Sequence, residues 1–465
     1  MRLWLFLRLW SLLWHIGLPG VLLYLWKRGR KDPLYSRHLA ERFGRYPSGL
    51  PGAVWVHAVS LGEMRSAVPL VRALLDRGDR VVTTHFTPAG RREAERVFAD
   101  DIPQGRLMAV WSPFETSWAY AGFFKAVRPK AGLVMEIEIW PRMIFASRSA
   151  GVPLFMCNAQ YPTKSMARDA KMTLRHKLMQ GFAGAFVKSD LQAQRFASVG
   201  VPNIHVTGEL RFDQPIPPHL VKAALALRPG LAGDRPVITF ASAVEGEDDL
   251  YLDAIEAALR HPLRPFVVYV PRKPERFDEV AGLLAARGLR FLRRSQDLGP
   301  TLAPQSLPSP PWGVDGAGGY PADILRAADG SALLPPPARG RVGEGVTPRD
   351  ILLGDSLGEM YFYIALSDRV VTGGGFTPHG AHNIIEPLAL KRPVIVGPEI
   401  HTIEYPAVEA IAAGVCLRVE TPAALTHALT DWPGPGADTI QAFFAAHSGA
   451  TEKTLAALDA EVKTR

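Results

Sequence analysis

The chain has 465 residues, 47% hydrophobic and 21% charged, with a formal net charge of +8, and this balance excludes an intrinsically disordered protein. A single hydrophobic core seldom grows beyond about 250–300 residues, so the length predicts two or three domains. The two cysteines, Cys157 and Cys416, lie far apart in sequence, which excludes a disulfide framework and is typical of a reducing compartment.

The first predicted element is an apolar helix over residues 3–26, rich in leucine and tryptophan and interrupted by Pro19-Gly20. Crossing a bilayer takes about 20 apolar residues, and tryptophan favours the membrane–water boundary. A basic stretch follows where a signal peptide would have its cleavage site, which indicates an acidic partner and a cytoplasmic location for the downstream chain. Residues 1–32 are therefore predicted to form a membrane anchor, as a single span or an interfacial helix, and a buried core helix is the alternative. The basic residues are Lys27, Arg28, Arg30, Lys31, Arg37, Arg42 and Arg45.

From Ala53 onward, apolar runs alternate with amphipathic segments, a pattern typical of parallel βαβ units and a doubly wound sheet. The first series has predicted strands at 54–56, 80–84, 131–135, 153–157 and 184–187, with helices at 66–75 and 90–98. The second has predicted strands at 236–240, 265–270, 351–353, 369–371 and 393–396. Together they predict an α/β chain with two Rossmann-like domains facing a cleft, where loops at the carboxyl ends of the strands bind ligands. The predicted limits are 33–213 and 236–465, with a linker at 214–235 and a Pro/Gly-rich insertion at 295–348.

A glycine-rich segment, residues 373–387, leads from the predicted strand 369–371 into a predicted helix at 388–390. Glycines at such a junction let backbone N–H groups approach a ligand, and a helix N-terminus favours an anion. Glu386 lies where its carboxylate can accept hydrogen bonds from sugar hydroxyls. The segment predicts a nucleotide held by phosphate and ribose, and a tight turn without a ligand is the alternative. His379 and His382 are three apart, but no carboxylate or cysteine cluster completes a metal site beside them.

Two loops of the first series carry carboxylates. Glu63 follows Ser60 by three positions, so it is either part of a capping box or a general base whose pKa is tuned by apolar surroundings. Glu136 and Glu138 follow the strand at 131–135. Alternation along an extended segment predicts that both face one side as a carboxylate pair, and an exposed polar face is the alternative.

The second series carries a cation and a further glycine turn. Arg272 follows the strand at 265–270, where it can bind phosphate through two hydrogen bonds. Residues 354–360 have the order strand, glycine turn and helix, and Arg211 is a further cation near the predicted linker. Carboxylates in the first half and anion-binding groups in the second suit a glycosyl transferase whose acceptor is activated by Glu63.

These motifs, in this order, resemble those of the 3-deoxy-D-manno-octulosonate (Kdo) transferases of lipopolysaccharide synthesis, which are GT-B glycosyltransferases. The matching segments are 59–63, 135–136 with 140–141, 270–272 and 382–387, and the resemblance lapses only at the Pro-rich insertion. It implies inverting transfer of Kdo from CMP-Kdo to a lipid A precursor, lipid IVA, with no cofactor, metal or nucleic-acid partner. It also implies a location at the inner membrane, with the catalytic domains on the cytoplasmic side and residues 1–32 in contact with lipid.

By matching position, the resemblance implies that Glu63 is the proton acceptor and that Glu136 and Arg211 support the transition state. The residues implied to hold CMP are Pro271, Arg272, Leu357, Gly358, Glu359, Asn383, Ile384, Ile385 and Glu386. Several positions depart from the family pattern: Arg211 stands where lysine is usual, and Arg142 where asparagine is common. The alternatives are another GT-B enzyme with a different donor or acceptor, a sugar-nucleotide epimerase, or a non-catalytic paralogue.

Overall fold

The computed structural model of the protein describes residues 3–169, 173–299, 302 and 349–463. Most of the predicted insertion at 295–348 therefore lies outside the described residues. The strands are β1 Val54–His57, β2 Val81–His85, β3 Leu107–Trp111, β4 Ala131–Met135, β5 Leu154–Ala159, β6 Gly184–Val187, β7 Ile204–Val206, β8 Val237–Ala243, β9 Phe266–Pro271, β10 Phe291–Arg293, β11 Ile351–Leu353, β12 Arg369–Thr372, β13 Val394–Val396 and β14 Cys416–Arg418.

Helices precede, separate and follow these strands. They are α1 Leu3–Gly29, α2 Leu39–Arg42, α3 Leu61–Asp76, α4 Pro88–Val97, α5 Ser117–Val127, α6 Pro141–Ser149, α7 Thr163–Asp169, α8 Thr173–Met179, α9 Asp190–Ser198, α10 Pro218–Ala232, α11 Asp248–Arg260, α12 Phe277–Ala286, α13 Arg294–Asp297, α14 Met360–Leu366, α15 Ile385–Ala389, α16 Glu404–Ala412, α17 Pro422–Thr430, α18 Ala437–His447 and α19 Ala450–Lys463. Short 3₁₀ helices lie at Pro33–Tyr35, Leu210–Asp213 and Pro274–Arg276.

The strands form two seven-stranded sheets, in the orders β3-β2-β1-β4-β5-β6-β7 and β10-β11-β9-β8-β12-β13-β14. Neighbouring strands run parallel, as in the pairs β1–β4 and β8–β9. Strands such as β1 and β4 are buried along their whole length, which continuous apolar runs allow when helices cover both faces of a parallel sheet. The prediction of two parallel-sheet α/β domains is confirmed.

Successive residues of β1 enter different hydrophobic cores. Val54 and Val56 pack in a core to which α3 and α19 contribute, whereas Trp55 packs in a core to which α5 and α6 contribute. The indole N–H of Trp55 donates to Thr84 Oγ1 at 2.7 Å, so the ring is buried with its polar atom paired. Helices therefore cover both faces of the first sheet, which leaves the carboxyl ends of its strands as the edge where loops can bind a ligand.

The described chain divides into two compact units, each assembled from separate stretches. Unit 1 comprises Met1–Ile216, Gly374–Arg418 and Gly434–Arg465, and unit 2 comprises Pro217–Gly373 and Val419–Pro433. Unit 1 thus draws two stretches from the part of the chain predicted to form the second domain. The carboxylate of Asp213 accepts hydrogen bonds from the N–H groups of Gly449 and Thr451, at 2.7 and 2.6 Å, and ties the last helix to unit 1.

The predicted N-terminal helix is present as α1, which has 27 residues and continues through Pro19. Among the described residues it is the one helix long and apolar enough to cross a membrane, and it suggests membrane association. Arg42, counted above with the basic stretch, is instead fully buried, with its guanidinium 4.3 Å from the ring centre of Trp111. It also donates to the carbonyl oxygen of Phe86 at 3.1 Å, so Arg42 is unavailable to an acidic partner.

The glycines at 373–375 are required by the protein's own backbone. A Cβ on Gly374, whose φ is 92°, would lie 2.2 Å from the carbonyl oxygen of Gly380, and one on Gly375 would lie 2.6 Å from the nitrogen of Gly397. Neither position has room for a side chain. The tight-turn alternative for this segment therefore has a structural basis, whether or not a ligand also binds there.

We expect Gly374→Ala to lower the stability of unit 1 by about 1–3 kcal/mol, because the methyl group meets backbone atoms and the residue keeps a positive φ. Thermal unfolding followed by circular dichroism measures the effect. Gly282→Ala is the control: Gly282 lies inside α12 with open space around its Cα, so alanine should stabilise the helix by up to about 1 kcal/mol. Equal melting temperatures for the two variants would contradict the steric argument.

Candidate functional site

Glu63 lies in the first turn of α3, directly beyond the carboxyl end of β1. Ser60 caps the helix: its Oγ accepts from the N–H of Glu63 at 3.3 Å and donates to Glu63 Oε1 at 2.9 Å. The N–H of Val59 donates to Glu63 Oε2 at 2.7 Å. The capping arrangement suggested by the sequence is thus present, and it holds the carboxylate in one orientation.

The pKa of Glu63 lies well above the usual value of a glutamate side chain. Its side chain is half-buried, and burial raises its pKa to about 7, aided by the negative charges of Glu136 and Glu138 and opposed by the hydrogen bonds from Val59 and Ser60. A carboxylate with a pKa near neutrality is divided between its two protonation states at physiological pH. That is the property required of a general base.

Glu136 directly follows β4, and its backbone turns sharply there. Its φ is 57°, in the left-handed region, while its N–H donates to the carbonyl oxygen of Cys157 at 2.8 Å. The backbone is therefore not extended at Glu136, so the alternation expected there is wrong, but burial and the charge of Glu136 still raise the pKa of Glu138. Glu138 Oε2 accepts from the indole N–H of Trp140 at 2.7 Å.

Arg211 is the cation that these carboxylates share. Its Nε donates to Ser66 Oγ on α3 at 2.7 Å, and its Nη2 lies 3.6 Å from Glu136 Oε1. Burial lowers the pKa of Arg211, but the charges of Glu209, Glu136, Glu386 and Glu63, in that order, outweigh it and raise the pKa overall. Arg211 is therefore held as a cation among carboxylates from separate parts of unit 1.

The segment 383–386 also belongs to unit 1. The side-chain oxygen of Asn383 accepts from the N–H of Ile385 at 2.9 Å, while Ile384 and Ile385 pack in a hydrophobic core with α16. Burial raises the pKa of Glu386, and the charge of Arg211 and a hydrogen bond from Asn383 oppose the shift. A cavity of about 200 Å³ is lined by Asn383 and Ile385, with Glu136 and Arg211 on its wall.

Three residues of this site did not emerge from the sequence as functional candidates. Lys188 Nζ and Glu209 Oε2 form a buried ion pair at 2.6 Å, and Asn158 Nδ2 donates to Glu209 Oε1 at 2.9 Å. Glu209 Oε1 also accepts from the backbone N–H of Arg211 at 3.3 Å, so Glu209 caps the 3₁₀ helix that carries Arg211. Their positions in the sequence could have indicated a role, because Lys188 directly follows β6 and Asn158 lies near the end of β5.

The other predicted nucleotide-binding residues lie in unit 2. Pro271 ends β9, and the side chain of Arg272 is exposed while its N–H donates to the carbonyl oxygen of Ala243 at 2.9 Å. Leu357 is 71% exposed, which is unusual for a leucine, and Gly358 has a φ of 80°. Glu359 accepts two hydrogen bonds from Arg294, at 2.8 and 2.7 Å, so its carboxylate is already paired.

A metal centre has no visible basis in the part of the chain that the structure describes. No group of three or more His, Cys, Asp or Glu side chains there is suited to hold an ion. His379 is exposed, whereas His382 is half-buried beside Gly374. The cations beside the described carboxylates are Arg211, 3.6 Å from Glu136, and Lys188, 2.6 Å from Glu209.

Comparison with known proteins gives consistent results. A family model described as "3-Deoxy-D-manno-octulosonic-acid transferase (kdotransferase)" matches residues 37–214. A 3-deoxy-D-manno-octulosonic acid transferase of Bordetella pertussis is 36% identical over 458 residues, covering 95% of this chain and 96% of that protein. Its Haemophilus influenzae counterpart is 29% identical over 398 residues, covering 84% and 81%. A solved UDP-GlcNAc 2-epimerase from Neisseria meningitidis, 14% identical with a TM-score of 0.51, covers 87% of this chain and 99% of its own and shares the predicted fold class.

We expect Glu209→Gln to destabilise unit 1 by about 3–5 kcal/mol, because it leaves the ammonium of Lys188 buried without its counter-charge. The two side chains are 6% and 2% exposed. Urea denaturation measures the loss. Lys164→Met is the control, since the pair that Lys164 forms with Glu399 is 60% and 45% exposed and should contribute nothing measurable. If both variants unfold like the parent protein, the buried pair does not have the energetic role assigned to it.

Proposed function

This chain belongs to the 3-deoxy-D-manno-octulosonic acid transferase family and is a glycosyltransferase, and on that premise we propose that it transfers Kdo from CMP-Kdo to the lipid A precursor lipid IVA. The observation that carries this proposal is the cluster in unit 1. Glu63, with a pKa near 7, acts electrostatically on Arg211 together with Glu136 and Glu386.

In the proposed reaction, deprotonated Glu63 takes the proton from an acceptor hydroxyl. The hydroxyl oxygen forms a bond to the anomeric carbon of Kdo as the bond from that carbon to the phosphate oxygen breaks. CMP leaves with the electron pair of the broken bond, and the configuration at the anomeric carbon inverts. Val59 and Ser60 fix the direction in which Glu63 presents its oxygens, which supports this role.

Arg211 and Glu136 are proposed to support the transition state as a pair. The guanidinium stabilises negative charge on the reacting groups, and Glu136, 3.6 Å away, balances the guanidinium when no substrate is bound. Arginine in place of the family's usual lysine keeps the charge but presents it as a planar fork with two parallel donors. That geometry suits a carboxylate or a phosphate.

The residues proposed to hold the CMP group of the donor are those that the family resemblance implies. In unit 2 these are Pro271 and Arg272 beyond β9 and residues 357–359 before α14. In unit 1 they are residues 383–386, where Asn383 and Glu386 supply polar groups. The single phosphate carries less charge than a diphosphate, so the proposal includes arginine and backbone dipoles and no metal.

The proposed acceptor is a lipid, so the reaction belongs at a membrane. The apolar helix α1 and the exposed basic residues that follow it are suited to hold the protein there. We place the protein at the inner membrane with both units on the cytoplasmic side, in line with the basic residues that flank the helix.

The direct test is incubation of the purified protein with CMP-Kdo and lipid IVA, followed by mass spectrometry of the lipid. The expected product is heavier by one or more Kdo residues. Glu63→Gln should lose at least about 10²-fold in turnover while still binding CMP in a calorimetric titration, since it removes the base alone. Glu452→Gln, at an exposed position of α19, is the matched control and should retain activity.

Each result discriminates among the candidate functions. Unchanged lipid beside intact donor contradicts the proposed transfer and favours another donor or a non-catalytic paralogue. Release of free sugar without a heavier lipid indicates a different acceptor. Full turnover by Glu63→Gln assigns the base to another residue.

The activity should also depend on pH through Glu63. Because the base acts when deprotonated and its pKa is about 7, kcat/KM should fall about tenfold for each pH unit below 7. Glu138→Gln removes a negative charge that raises this pKa, so the acidic limb should move to lower pH. A pH–rate profile of the two proteins, with Glu452→Gln as control, measures the shift. An acidic limb near pH 4.5 in the parent protein would contradict this assignment.

A further inference from the structure

One side of α1 is half-buried from Leu3 to Leu22 and buried at Leu25. Its shielded residues recur three or four positions apart, which is the spacing of a single helical face. The last of them, Leu25, is only 2% exposed. At the other end, Leu3 and Phe6 pack against the hydrophobic core that contains Trp55. The shielded residues are Leu3, Phe6, Leu7, Trp10, Ser11, Trp14, Leu18, Val21, Leu22 and Leu25.

Polar contacts fix this packing in the first half of the helix. The indole N–H of Trp10 donates to Glu115 Oε2 at 2.9 Å, and Arg142 Nη2 donates to the carbonyl oxygen of Leu7 at 3.2 Å. The indole N–H of Trp118 meets His15 Nε2 at 3.1 Å. Arg142, which departs from the family's usual asparagine, thus gains a role in docking α1.

The opposite side of α1 is apolar and bare. Its large hydrophobic side chains are between 41% and 68% exposed, and tryptophans lie near both ends. A contiguous apolar strip of this kind on a protein surface marks an interaction site. The exposed residues are Trp4, Leu5, Leu9, Leu12, Leu13, Ile16, Leu23, Tyr24 and Trp26.

Charge identifies the partner of this strip as a lipid surface. Lys27, Arg28, Arg30 and Lys31 follow the strip directly and are exposed, as anionic headgroups require. Arg8 lies on the bare side with its guanidinium 4.7 Å from the ring centre of Trp4, where a long side chain can reach the headgroup layer.

We infer that α1 lies in the plane of the membrane, with its bare strip immersed at the boundary between headgroups and acyl chains, and does not cross the bilayer. A crossing helix would carry its docked partners into the hydrocarbon, including Glu115, which is 1% exposed and accepts hydrogen bonds from the N–H groups of Arg142 and Met143. An in-plane helix keeps its docked face against unit 1 and places its bare apolar face in contact with lipid. This placement is independent of the transferase reaction.

Depth measurement tests the placement in the full-length protein. Leu5, Leu12 and Leu23 lie on one line of the bare strip, and both native cysteines are buried, so Leu5→Cys, Leu12→Cys and Leu23→Cys each offer one accessible thiol for a fluorophore. Quenching by spin-labelled lipids in phosphatidylethanolamine–phosphatidylglycerol vesicles should give one common depth, about 5–10 Å below the headgroups. A crossing helix would instead separate the first and last labels by about 27 Å along the membrane normal.

Vesicle flotation of a variant that lacks the apolar strip tests the contact with lipid independently. Leu13→Glu/Ile16→Glu should reduce the bound fraction at least tenfold, while Leu225→Glu/Leu263→Glu, with equal charge on exposed leucines of unit 2, should float like the parent protein. Unchanged melting temperatures verify that both variants fold. Three depths that progress across the bilayer overturn the inference. A parent protein that does not float with vesicles also overturns the inference, as does one in which dimerisation covers the strip.

Discussion

The candidate centre depends on one guanidinium surrounded by carboxylates. Arg211 is fixed by Ser66 on one side and attracted by Glu209 and Glu136 on the other, and the more distant charges of Glu63 and Glu386 act on it as well. Carboxylates at such spacing repel one another unless a cation lies between them. The arginine therefore offsets the repulsion in an acidic cluster in which burial raises the pKa of one member, Glu63, to about 7.

The first sheet places Glu63 and Glu136 through its strand order. Strands β1, β4, β5 and β6 are consecutive neighbours, and the residues at or just beyond their carboxyl ends are the ones that meet. Much of this was predictable: β4, β6 and β11 have the predicted bounds, because a continuous apolar run in a covered parallel sheet is an unambiguous signal. Strand β3 was not predicted, although Leu107–Trp111 is also a continuous apolar run; it lies at the sheet edge, where two of its residues are only half-buried.

The local sequence pattern predicted less of the candidate site than of the strands. Periodicity cannot show that Glu136 adopts a left-handed conformation, which breaks the extended backbone that alternation assumes. Charge counting placed Arg42 with a basic surface, whereas it stacks on Trp111 inside unit 1. The pairing of Lys188 with Glu209 depends on which strands become neighbours, a property of the whole sheet. The family resemblance supplied the residue set, and tertiary structure supplied the charges that act on it.

The last helix of unit 1 has a consequence for biosynthesis. Helix α19 shares a core with α3, the helix that begins beside the candidate base, and Arg77 after α3 donates to Asp459 at 3.1 Å. On the ribosome, α3 emerges long before this partner exists. The apolar side of α3 stays uncovered until α19 has been translated, so a nascent chain stalled before α19 would expose this apolar surface to chaperones and proteases.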